Sequence, residues 1–135
     1  MKTLEQIEMI PQNGIIVRQE GAVLRVFFDI AKAPTPESPK DGEEVHTQPD
    51  DLCECYNVDV QAPITYGSIV AAIVNDKYSS DDVQALQANY LEAKDSKSSL
   101  DSDKRKEYLA EWSDFQAWRT TAKEIATSVV SMINK

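Results

Sequence analysis

All four glycines (Gly14, Gly21, Gly42, Gly67) and all six prolines (Pro11, Pro34, Pro36, Pro39, Pro49, Pro63) of this 135-residue chain lie within its first 67 residues. The rest of the chain carries no backbone breaker. Because glycine and proline punctuate turns and end helices, the first half should be built from strands and loops and the second from helices. The asymmetry predicts an α+β chain: a small antiparallel sheet of about three strands followed by three helices, the last one long. We expect one domain over 1–135, with strands in 1–62 and helices in 63–135.

After the turn signal Pro11-Gln12-Asn13-Gly14 comes a β-branched run, Ile15-Ile16-Val17-Arg18, and then Ala22 to Ile30. In that second run Ala22, Leu24, Val26, Phe28 and Ile30 are apolar while the alternate positions include Arg25 and Asp29. Period two with one clean face is the pattern of a half-buried strand, and Glu20-Gly21 between the runs reads as a hairpin turn. From Pro34 to Asp51 only Val45 is worth burying, which predicts a mobile acidic loop. A third strand is expected over Leu52–Val60, with Leu52, Tyr56, Val58 and Val60 on one face and Cys53, Cys55, Asn57 and Asp59 on the other. Residues 3–10 fit a short helix or an edge strand equally.

The helical half opens with start signals. Thr65 can cap a helix from Tyr66, and Ile64 has the spacing to staple to Ile69. The grammar repeats at Tyr78-Ser79-Ser80-Asp81-Asp82-Val83, with Ser79 as cap, Asp82 as the reciprocal acid and Tyr78 stapling to Val83. This second helix carries Val83, Leu86, Tyr90 and Ala93 to a break at 96–102. The third runs from about Asp103 to the end. Its stripe of Tyr108, Trp112, Phe115, Trp118, Ala122, Ile125, Val129 and Met132 recurs every three or four residues. At 1.5 Å per residue it spans about 45 Å, whereas a compact chain of this size is roughly 36 Å across. A straight helix should therefore overhang its own domain and find packing on another subunit. The residues expected at such an interface are Tyr108, Trp112, Phe115, Trp118, Ile125 and Val129.

Charge narrows the partners. Fourteen basic residues against twenty-three acidic ones leave a net charge of −9, which repels a phosphate backbone, so no nucleic-acid ligand is expected. Seven of the nine excess negative charges fall within 34–59. The longest apolar run, Ile69 to Val74, is far short of the ~20 residues of a membrane span. Met1 to Glu8 contains two glutamates where a secretory signal would be apolar, and the expected location is a cytoplasm.

Chemistry is sparse. Cys53 and Cys55 would need further thiol or imidazole ligands to hold zinc, and the chain has one histidine, His46, in the acidic loop. The cysteines read as reduced, small hydrophobes on a sheet face, and His46 as solvated. Asp95, Asp101 and Asp103 fail as a calcium loop, since Leu100 stands where glycine is needed and Lys106 where a bidentate acid is needed. Asp101 and Asp103 read instead as cap and first-turn acids. Lys104-Arg105-Lys106 sits at the dipole's wrong end and reads as a solvated face. No catalytic, metal-binding or cofactor-binding residues are assigned.

The helical half resembles a group of small uncharacterised proteins encoded by phages and prophages of Bacteroides-type gut bacteria. The residues that carry this are Tyr66-Gly67-Ser68-Ile69-Val70, Asn75-Asp76-Lys77-Tyr78-Ser79, Asp81-Asp82-Val83-Gln84-Ala85, Asn89-Tyr90, Phe115-Gln116-Ala117-Trp118-Arg119 and Ala122-Lys123-Glu124. The likeness covers about half the chain. It implies a virion-, tail- or assembly-associated setting. The expectation is a non-enzymatic structural or protein-interaction protein, self-associating through the C-terminal helix or bound to a protein partner. The alternative is a small acidic regulator or inhibitor whose residues 37–54 occupy a basic site on a host protein.

Overall fold

The computed structural model describes residues 1–34 and 51–134, and the chain divides into two compact units, Met1–Ala62 and Pro63–Lys135. The predicted acidic loop, His46 included, lies outside the described residues apart from its two ends.

In the first unit, strands β1 (Lys2–Gln6), β2 (Ile16–Glu20), β3 (Val23–Lys32) and β4 (Leu52–Gln61) form one antiparallel sheet in the order β1-β4-β3-β2. The sheet has four strands, one more than expected, because the ambiguous N-terminal segment is an edge strand paired with β4. Pro11–Gly14 forms the predicted turn, closed by the Gly14 N–H donating to the Pro11 carbonyl (2.9 Å), with Gly14 at φ +70°. The hairpin turn falls one residue later than read. Glu20 pairs with Val23, and the loop is Gly21-Ala22, with Gly21 at φ +61° supplying the left-handed backbone that a tight hairpin needs.

Leu24, Val26 and Phe28 of β3 stand beside Val58 and Val60 of β4 on one face, all buried. Each such side chain contributes about 1.5–3 kcal/mol by leaving water. Tyr56, opposite Phe28, stacks on it with ring centroids 5.3 Å apart. The predicted alternation in β4 holds, but the second face is not a solvent face. Cys53, Cys55 and Phe27 are buried there, and the Arg18 guanidinium lies 5.2 Å from the Phe27 ring centre. Ala22 and Ile30 also depart from the expected apolar face. Ala22 is exposed in the turn, and Ile30 follows a bulge at which pairing steps from Phe28–Tyr56 to Ala31–Glu54. Asp29 takes the extra position with φ +52°, where its short polar side chain is better tolerated than a bulkier one.

The second unit consists of α1 (Tyr66–Lys77), α2 (Ser80–Lys94) and α3 (Ser102–Ile133). The caps are as read. Thr65 Oγ1 accepts from the Ser68 N–H, Ser79 Oγ accepts from the Asp82 N–H while Asp82 accepts from the Ser79 N–H, and Asp101 accepts from the Lys104 N–H. In both capping boxes the third helical residue reciprocates, Ser68 through its hydroxyl oxygen.

The contacts along α3 run in reverse order through the earlier helices. Arg105 bonds the carbonyls of Ala93 and Asp95, Trp112 stacks on Tyr90, Phe115 meets Tyr78, and Trp118 reaches Ile73. α1 and α2 therefore lie in succession, antiparallel, along one long helix. Their 12 and 15 residues span about 18 and 22 Å against about 48 Å for α3. The long helix thus has packing partners in tandem within its own chain.

Candidate functional site

Of the six residues expected at a subunit interface, Trp112, Phe115 and Trp118 make contacts within the hairpin. Phe115, Ile125 and Val129 are buried in the single chain. Trp112 stacks on Tyr90 at 4.7 Å and leans on Phe115 at 5.5 Å. The Trp118 indole N–H donates to the Ile73 carbonyl at 3.0 Å, and Tyr108, half-buried, carries the Lys104 ammonium 5.3 Å from its ring centre. Trp112, Phe115 and Trp118 join α3 to the α1–α2 segment, and of the six residues Tyr108, Trp112 and Trp118 are half-buried.

The basic cluster at the start of α3 is likewise partly spent. Arg105 donates to the Ala93 and Asp95 carbonyls at 2.5 and 3.1 Å, so it caps the C-terminus of α2, where a cation suits the helix dipole. Its place at the unfavourable end of its own helix is explained by the end of the neighbouring one. Lys104 forms an exposed pair with Glu107 at 3.2 Å, which raises the Lys104 pKa by hydrogen bonding to that carboxylate.

What the sequence did not reveal is the concavity at the α1–α2 joint. The helix stops at Lys77, Tyr78 adopts an extended conformation (φ −130°, ψ 117°), and the chain restarts after the Ser79 cap. The interruption turns Tyr78 onto α3, edge-on to Phe115 with centroids 5.0 Å apart. On one side of Tyr78 lies a groove of about 400 Å³, with Ala85 and Leu86 among its apolar walls and Asp82, Glu111 and Asp114 supplying carboxylates. On the other lies a second depression of about 370 Å³ bounded by Lys77, Asp114 and Trp118. Lys77 places its ammonium 4.6 Å from the Trp118 ring centre and 6.0 Å from that of Tyr78. The signal for this joint was present in the repeated cap grammar around Tyr78. The acids that converge on it come from two helices about thirty residues apart, which spacing alone does not reveal.

Among the described residues no group of three or more His, Cys, Asp or Glu side chains could hold a metal ion, and no helix is long and apolar enough to cross a membrane. Burial pushes the Cys55 thiol pKa up, and the Cys53 thiol lies 3.9 Å from the Ile7 carbonyl. A protonated, enclosed thiol is a packing group and not a nucleophile. The joint thus brings together apolar side chains, aromatic rings, three carboxylates and the Lys77 ammonium. No family model, curated protein or solved structure matches the chain.

Proposed function

We propose that this chain is a non-enzymatic protein-interaction protein whose helical hairpin receives a basic segment of a protein partner at the α1–α2 joint. The observation that carries the reading is the groove beside Tyr78, where Asp82, Glu111 and Asp114 line an apolar cleft. Lys77 also lines the groove with its ammonium 4.6 Å from the Trp118 ring centre, so three carboxylates stand against one cation and the balance of charge favours a cationic occupant. That Phe115, Ile125 and Val129 are already buried favours this reading over self-association through α3. The likeness of the helical half to small phage and prophage proteins supports an assembly- or particle-associated setting. The alternative, a regulator acting through acidic residues 37–54, rests on residues mostly outside the described structure.

The test is an NMR titration with a short synthetic peptide alternating Arg and Leu. Saturable shifts centred on Tyr78, Leu86 and Asp114, lost in the Glu111→Lys/Asp114→Lys variant, are expected. Shifts that do not saturate, or that survive charge reversal, would overturn the reading.

A further inference from the structure

Four of the eight exposed large apolar side chains among the described residues are in the first ten: Met1, Leu4, Met9 and Ile10, with Leu4 60% and Met9 82% exposed. Leu4 sits at the centre of β1, an edge strand whose inner side is fully assigned. The Asn57 N–H donates to the Met1 carbonyl (2.9 Å) and the Ile7 N–H to the Asp51 carbonyl (2.7 Å). In an antiparallel ladder hydrogen-bonded pairs alternate, so the odd residues of β1 bond β4 and the N–H and C=O groups of Lys2, Leu4 and Gln6 point away from the sheet. The opposite edge differs. The exposed residues of β2 are Arg18, Gln19 and Glu20, charged or polar, and the Gln19 amide folds back onto the Gly21 carbonyl at 2.7 Å. The exposed residues of that edge are all charged or polar, whereas β1 presents Leu4 between exposed Lys2 and Gln6, with three outward backbone units.

We propose that β1 is a self-pairing edge: it joins β1 of a second copy in an antiparallel, two-fold pair centred on Leu4, making one eight-stranded sheet from two chains. The strand Lys2-Thr3-Leu4-Glu5-Gln6 is complementary to its own reverse. With Leu4 facing Leu4, Lys2 faces Gln6 and Thr3 faces Glu5, so no like charges stand opposite. Shifting the register by one step toward the C-terminus would set Glu5 against Glu5. Parallel pairing in register would set Lys2 against Lys2 and Glu5 against Glu5, and both arrangements are disfavoured. The closed two-fold pair also uses each β1 edge once, so it stops at two copies. This pairing is independent of the groove at the α1–α2 joint.

Two measurements test it. Light scattering on the full chain should show the mass rising from 15.1 kDa toward twice that value as concentration increases. Leu4→Pro, which removes an N–H that β4 does not use, should stay at one chain's mass with an unchanged circular dichroism spectrum. Independently, Leu4→Cys should cross-link rapidly across the two-fold under mild oxidation, because directly opposed residues of a hydrogen-bonded pair lie about 5.5 Å apart, within disulfide reach. Arg18→Cys on the β2 edge should not. The proposal is overturned if the native chain stays monomeric throughout, if Leu4→Pro remains a dimer, or if the two cysteine variants cross-link equally.

Discussion

In the sheet unit, Phe28 meets Tyr56 and Leu24 meets Val60 because backbone pairing between distant strands puts them there. In the helical unit, Phe115 meets Tyr78 and Trp112 meets Tyr90 because of the side chains themselves. The long helix touches the carbonyls of the shorter ones through Arg105 and Trp118. The sheet thus distributes its cohesion over a ladder, with burial on both faces. The hairpin relies on side-chain packing, with an aromatic seam and an arginine cap beside buried Ile69, Ile73, Ala122 and Ala126, and single side chains should matter more there.

The largest effect should come from that seam. Phe115→Ala should cost about 3–5 kcal/mol in urea denaturation followed by far-ultraviolet circular dichroism. A loss under about 1 kcal/mol, the scale of an ordinary surface change, would erase the contrast between the units. Next, Arg105→Ala should cost about 1.5–3 kcal/mol, since two carbonyls lose a charged donor, while Lys106→Ala should stay within about 0.5 kcal/mol. Equal effects of the two substitutions would show that the α2 cap contributes nothing beyond charge.

On the sheet side, Asp29→Val should destabilise by about 1–2 kcal/mol, because a β-branched residue resists the left-handed backbone of the bulge. Asp29→Gly should restore or exceed native stability in the same assay, which would separate backbone strain from lost side-chain contacts. Ser79→Ala should cost about 1 kcal/mol. If this also weakens binding of the Arg-Leu peptide, the cap shapes the groove at Tyr78 as well as the start of α2.

The smallest expected effect is a pH dependence. Burial holds the folded Cys55 pKa above its unfolded value, so the folded chain retains a proton that the unfolded chain releases. The contribution is complete below the ordinary thiol pKa of about 8.5 and is lost as pH rises from there through the raised folded value. Stability should therefore fall on the alkaline side, and Cys55→Ala should remove that component of the slope. An unchanged slope in the variant would refute the assignment to Cys55.

Much of this architecture is legible in local pattern. The Gly/Pro asymmetry separates strands from helices, the alternation in β3 marks a sheet strand, and Thr65, Ser79 and Asp101 announce three helix starts that the structure contains. Local rules succeed there because caps and alternation involve residues within a few positions of one another. They fail at the bulge, where one inserted residue moves Ile30 off the expected face, and at Phe27, which is buried although it falls between Arg25 and Asp29 in the alternation. The groove at Tyr78 was not legible either, since Asp82 and Asp114 converge only once α3 folds back along α1 and α2.

The sequence by itself determined the order and kind of elements, the turn at Gly14, the helix caps and the apolar stripe of α3, because propensity and hydrogen bonding within a turn are short-range. Only the tertiary structure decided what the stripe packs on, why Arg105 tolerates its position, and which edge of the sheet is left unguarded. Those outcomes depend on which distant segments become neighbours. A periodic apolar face requires a partner but does not name it, and here α1 and α2 in tandem supply one within the chain.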